Sequence, residues 1–156
     1  SKDVVFGINI EINQTPLMLS DQFDIIINSE ALAAVSGNYK LVVCLTENNI
    51  TNWQKDGDID DDSYVHKHVL RSFLTPTFGE DLANEEINNG DSFSNGFSPV
   101  ISDLENYNID YSQNTLTLGN GNAGDWDLNN MYVLAYIYDE SSNEILQVEE
   151  KSILNK

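Results

Sequence analysis

The residues best suited to chemistry lie together in one stretch, DGDIDDDSYVHKHVLR, from Asp56 to Arg71. Five aspartates are followed at once by both histidines of the chain, His66 and His68, two positions apart. Asp56, Asp58, Asp60 and Asp62 alternate, and hard carboxylate oxygens at positions one, three and five are what calcium takes. With Asp56 as position one, position six is Asp61 where an EF-hand needs glycine, and position twelve is Lys67 where it needs glutamate. A looser calcium site on Asp56, Asp58, Asp60 and Asp62 stays open, because crowded carboxylates repel and a cation relieves the repulsion. The competing reading is a solvated acidic loop. On a strand, His66 and His68 point to the same side. A structural zinc site needs four ligands, and with one cysteine in the chain only carboxylates could complete the set. The simpler role for the pair is local hydrogen bonding that orders the acidic loop.

Other side chains offer less. Arg71 is one of only seven cations and stands close to the five aspartates, so it is expected to brace the acidic loop through an ion pair. Trp126, in GNGNAGDWDLNN, has the surroundings of a sugar-stacking residue, as do Trp53, Tyr107 and Tyr111 in or near other connectors. A tryptophan that caps the edge of a sandwich looks the same in sequence. Cys44 lies in the apolar run YKLVVCLT and reads as a small buried hydrophobe. No GxSxG, P-loop, GxGxxG or HExxH pattern is present, and no nucleophile stands beside a base. The chain is therefore read as not an enzyme, with no cofactor unless calcium binds.

The elements that must position these residues are read from composition and period. A chain of 156 residues, 40% hydrophobic and 10% aromatic, can bury a sizeable core as a single domain over 1–156. Its formal charge of -19 repels phosphates, so nucleic acid and anionic membrane surfaces are poor partners. The start SKDVVFGINIEIN has no basic region leading into an apolar stretch and reads as strand rather than leader. The longest apolar run, Met131 to Tyr138, is too short to span a bilayer as a helix. The abrupt start on a strand-like segment suggests a fragment of a longer protein.

Period two dominates. Val4, Phe6, Ile8, Ile10 and Ile12 share one face of a strand over Val4 to Asn13. FDIIIN (Phe23 to Asn28) and NYKLVVCLTE (Asn38 to Glu47) are further strands, and MYVLAYIYD with EILQVEEKSI forms a hairpin around ESSN. Asn-, Gly- and Asp-rich connectors between them, ENNITNWQKDGDIDDD among them, read as loops or hairpin turns. Helix is expected only as a turn or two at Ser29 to Val35 and at Ile101 to Tyr107. The expected fold is all-β: an antiparallel Ig-like or jelly-roll β-sandwich with at most one or two short helices.

Three stretches carry a family resemblance. YVHKHVLR (Tyr64 to Arg71) resembles the Tyr-Val-His-x-His-Val-Leu-Arg signature of the Omp28-related outer membrane proteins of Bacteroidetes. YKLVVCLTENNITNWQ (Tyr39 to Gln54) is similar to that family's strand ending in Leu-Thr-Glu, followed by a loop carrying a glutamine. MYVLAYIYDESSNEILQVEE (Met131 to Glu150) resembles its closing hairpin. The resemblance implies an exported protein, often lipid-anchored, and several such proteins carry a thioredoxin-like domain before a β-sandwich. With no CxxC, this chain resembles only that second domain, and any membrane attachment would come through other parts of the protein. The family is described mostly as surface or adhesin-like, so no catalytic residue carries over. Tyr64, His66, His68 and Arg71 match signature positions and are read as structural. The expected function is a non-catalytic interaction domain, extracellular or outer-membrane-associated, meeting a protein or glycan at the cell surface. The alternative is a calcium- or glycan-binding sandwich module.

Overall fold

The computed structural model describes residues 4–14, 21–83, 86–115 and 123–154. In chain order its strands are β1 (Phe6–Gln14), β2 (Phe23–Ala31), β3 (Val35–Ser36), β4 (Tyr39–Glu47), β5 (Ile50–Asp56), β6 (Ile59–His66), β7 (Val69–Phe73), β8 (Glu80–Ala83), β9 (Glu86–Ile87) and β10 (Ser92–Phe97). Helix α1 (Ile101–Asn114), a 3-10 turn (Leu128–Asn130), β11 (Met131–Asp139) and β12 (Glu144–Ser152) follow. Among the described residues no helix is long and apolar enough to cross a membrane.

Period-two patterning becomes two facing sheets. One runs β1-β2-β10; the other runs β12-β11-β4-β7, with β8 also on β4, and every pairing is antiparallel. Phe6, Ile10, Ile12, Phe23, Ile25 and Ile27 of the first sheet meet Leu41, Val43, Leu45, Met131, Val133 and Ile137 of the second in one shared core. The all-β sandwich is thus the observed architecture. Within β4 the intervening Val42, Cys44 and Thr46 are buried as well, because side chains on its flanking strands crowd over its outer face. Val4, expected on the inner face of β1, precedes the strand and is exposed.

The two helix expectations part ways. Ser29 to Val35 is not helical: Ser29–Ala31 complete β2 by pairing with Phe6–Ile8, and Val35 opens β3. Ladder pairing there outweighs the helix preference of an alanine-rich stretch. The second helix exists and is longer than expected, 14 residues. Its start is completed from afar: Ser102 N–H donates to the Asp21 carboxylate at 2.8 Å, and Ile101 N–H to the Asp21 carbonyl at 3.1 Å. The Ser102 hydroxyl, together with that backbone N–H, draws the Asp21 carboxyl below its ordinary value. Ile101 and Leu104 turn into the core, and α1 closes one end of the sandwich beside the 3-10 turn.

Candidate functional site

β5 and β6 form a two-stranded hairpin whose ladder joins no other sheet. Asp56-Gly57-Asp58-Ile59 makes the turn, with Gly57 at φ 61° in the first central position, as a two-residue II′ connection requires. The acidic run is therefore largely strand, not loop. The register shifts once: Asn52 faces Tyr64 and Gln54 faces Asp61, so Trp53 alone stands opposite both Asp62 and Ser63. This is a β-bulge on β6.

The turn, and beyond it the bulge, decide where the acids point. Directly opposed residues share a face. Asp61 is opposite Gln54, on the face of Asn52 and Tyr64, whereas Asp60 is opposite Lys55, on the face of Thr51 and Val65. Asp56 belongs to the first face and Asp58 to the turn. The alternation that made Asp56, Asp58, Asp60 and Asp62 resemble one ligand set is thus broken. Asp61 and Asp62 also spend oxygens inside the bulge, on the Ser63 N–H and hydroxyl at 2.9 Å each. Among the described residues no three His, Cys, Asp or Glu side chains converge as a metal site.

The histidines do not share a face either. His66 closes β6 and meets the Tyr64 ring edge-on, with centroids 4.8 Å apart. Two residues later the chain turns sharply, with His68 at φ 51°. His68 N–H donates to Asn48 Oδ1 at 2.7 Å, and its Nδ1 lies 3.2 Å from Glu150 Oε1. His66 therefore belongs to the hairpin, and His68 is a junction residue tying its root to β12.

Arg71 corrects the sequence reading most plainly. It does not reach the aspartate run. Its Nε donates to Glu47 Oε2 at 2.8 Å, and its guanidinium carbon lies 5.6 Å from the centroid of the Trp126 ring. Glu47 Oε1 accepts Asp127 N–H at 3.1 Å. Trp126 donates its backbone N–H to Glu105 of α1 and its indole N–H to Ala123. The ring that sequence reading offered to a sugar is half-buried, one face against Arg71 and its edge in the core. Together Glu47, Asn49, Arg71, Asp127 and Asn130 line a polar cleft of ≈ 300 Å³ at the hairpin root. Asn49 donates to Asn130 at 2.9 Å and pins that root to the 3-10 turn. Sequence reading missed Glu47. Its only signal is a carboxylate ending an otherwise apolar strand, followed by two asparagines.

The other aromatic candidates stand in the open. Trp53 is 54% exposed on β5, and Tyr64 and Val65 are exposed on β6. Tyr107 and Tyr111 stack on the outer side of α1. Cys44 is buried, and burial pushes its thiol up to about 11, far from a nucleophile's range.

A family model for the outer membrane protein Omp28 matches residues 7–112, more than half of the chain. The chain belongs to the Omp28 family. The matched span carries Glu47, the β5–β6 hairpin, both histidines and Arg71 of this Omp28 protein; Trp126 and the β11–β12 hairpin lie beyond it. Family membership associates it with the outer membrane. Two solved structures share its fold. HBP35 of Porphyromonas gingivalis superposes at a TM-score of 0.62 with 15% identity over 96% of this chain and 41% of its own. A domain of the outer membrane lipoprotein Omp28 from Porphyromonas gingivalis superposes at 0.53 with 14% identity, over 96% of this chain and 88% of its own. The chain thus spans well under half the length of HBP35. Among curated proteins none matches it.

Proposed function

We propose that this chain is a non-catalytic, adhesin-like interaction domain displayed at the outer surface of the outer membrane, and that the β5–β6 hairpin is its contact arm. The hairpin's geometry carries this reading. The hairpin presents Trp53, Tyr64 and Val65 to solvent while its root is held by the Arg71–Glu47 pair, the Asn49–Asn130 bond and His68. Exposed aromatics on a rigidly rooted element give contact area at low entropic cost, which is how a few residues dominate an interface. The non-catalytic part of the reading is supported by a neutral buried Cys44, by Glu47 engaged with Arg71 and Asp127, and by His66 and His68 set apart.

The partner is a protein or glycan at a cell surface. Of the two small-ligand alternatives, Trp53 favours glycan over calcium. It has Thr51, Lys55 and Asp60 on its own face, a ring with hydrogen-bonding groups around it, whereas the hairpin turn divides the carboxylates a calcium ion would need together.

Binding of the labelled chain to a printed array of glycans and extracellular matrix proteins tests the reading. Trp53→Ala and Tyr64→Ala together are expected to remove binding by tenfold or more while melting stays unchanged. Binding that survives both substitutions sinks the hairpin as contact arm.

A further inference from the structure

The second sheet turns outward a face of half-buried aromatic side chains, overlain at Val42 by the loop that carries Phe78. Along β11 the side chains alternate: Val133, Ala135 and Ile137 enter the core, so Tyr132, Leu134, Tyr136 and Tyr138 point outward. Register aligns Tyr136 with Val42 and Val148, and Tyr138 with Lys40 and Ile145. Ile145, Val148 and Leu70 are exposed on this side, and Phe78 is 81% exposed. The loop carrying Phe78 is anchored to the face by the Tyr138 hydroxyl, which donates to the Phe78 carbonyl at 2.8 Å. The Phe78 ring is therefore held out on a fixed mount. Beside it lies a pocket of ≈ 230 Å³ lined by Thr77, Phe78, Tyr136, Tyr138, Asn143 and Ile145.

We propose that this face is a self-association surface, on which a second copy of the chain packs sheet against sheet with its Phe78 in the pocket. Three observations select a second copy. The first is self-complementarity: a projecting ring stands next to a pocket that fits one, since an apolar cavity of about 150 Å³ already admits benzene. A two-fold axis then fills both pockets at once. The second is charge. Two chains of formal charge -19 repel through almost any acidic surface, yet the pocket lining holds no carboxylate. Charges along the face are Lys40, paired to Asp81 at 2.6 Å and to Glu140 at 3.6 Å, and Glu150, beside His68. The third is size. Four strands about 4.8 Å apart, the longest nine residues at about 3.3 Å each, span roughly 19 by 30 Å. That footprint of about 570 Å² per partner, with Val42, Cys44 and Thr46 of the central strand already buried, is the size of a weak, reversible interface. Aromatic residues with few charges are also the composition of an interface centre.

Association of this kind is hydrophobic and opposed by like charge, so salt strengthens it. A pairing built on opposite charges weakens in salt. Sedimentation equilibrium of the 156-residue chain, at low and high salt and up to high micromolar concentration, reads the difference. The expected result is a mass rising to twice 17.5 kDa, at lower concentration in high salt. Phe78→Asp and Ile145→Asp, both at exposed positions that the fold tolerates, are expected to hold the chain monomeric at the same melting temperature. Tyr107→Ala, an exposed aromatic on α1 away from the face, is expected to stay dimeric. A wild-type chain that is monomeric in both salts overturns the proposal, and so does a dimer that survives both aspartate substitutions. The hairpin takes no part, so this surface and the contact arm stand or fall separately.

Discussion

Arg71 and Glu47 form an ion pair at 2.8 Å whose side chains are 9% and 4% exposed. It is out of water, supported by Trp126 against the guanidinium and by Asp127 N–H on the second carboxylate oxygen. The pair joins the end of β4 to the middle of β7, beside the point where the chain leaves the sandwich for the hairpin and returns. It therefore ties the contact arm to the core.

Removing one partner of such a pair strands the other. Glu47→Ala is expected to cost about 3–5 kcal/mol in urea unfolding, and Glu47→Gln less, because the amide oxygen still accepts Asp127 N–H. A loss below about 1 kcal/mol for Glu47→Ala contradicts the role given to the pair.

Gly79 is held at φ 77°, and a methyl group on it would stand 2.6 Å from the Leu41 carbonyl. Gly79→Ala is expected to destabilise by about 2 kcal/mol or more, since strain and overlap act together. Gly57, at φ 61° in the hairpin turn, has open space around it. Gly57→Ala is expected to cost about 1 kcal/mol, less than Gly79→Ala, because the positive φ strains a side chain but nothing stands in its way. Equal costs at the two glycines would contradict the close approach of the Phe78 loop to β4.

Cys44 should resist thiol reagents in the folded state near pH 8 and react once urea unfolds the chain. Its folded thiol is pushed up to about 11 from an ordinary value of 9.0. The sign follows from linkage: the folded state keeps the proton longer, so stability is present below about pH 9 and is lost as pH rises from there through about 11. Tyr39 and Tyr136, also raised by burial, add in the same direction. Fast labelling of the folded protein, or stability flat across that window, would contradict the buried placement.

Calcium is expected to leave the melting temperature unchanged at micromolar concentrations, with Asp60→Asn and Asp62→Asn indistinguishable from wild type in calorimetry. The reason is that the hairpin turn sets Asp56 and Asp60 on opposite faces, while Asp62 accepts from Ser63 inside the bulge. A micromolar site lost in those variants would mean that the hairpin rearranges to gather its acids.

Much of the sandwich was legible because period two shows directly in residues such as Phe6, Ile10 and Ile12, and a central strand shows as the unbroken run of β4. The family was legible in Tyr64 to Arg71. What misled was local arithmetic. Counting every second residue through Asp56–Asp62 assumes one unbroken strand, and the turn at Gly57–Asp58, which pairs Asp56 with Ile59, puts Asp60 on the other face. Reading His66 and His68 as a pair assumes that the strand continues, and His68 turns left-handed. Arg71 was assigned to its nearest acids in sequence, whereas its partner Glu47 is 24 residues away and is set by strand pairing. The length of α1 was hidden for a similar reason, since Asp21, which completes its first turn, is 81 positions from Ser102. Trp126 was visible as an aromatic among loop residues, but nothing in its neighbours announced that Arg71 would take one face of it.

The measurement that bears most directly on the hairpin as a surface contact arm is limited trypsin digestion of intact cells carrying the protein, read by mass spectrometry. Lys55 and Lys67 sit exposed on and just beyond the hairpin. Cleavage at these two lysines before any in the sandwich, with the outer membrane unbroken, is the result that supports display of the arm. A hairpin that is cut only after the outer membrane is permeabilised would place it on the inner side and contradict the proposed function.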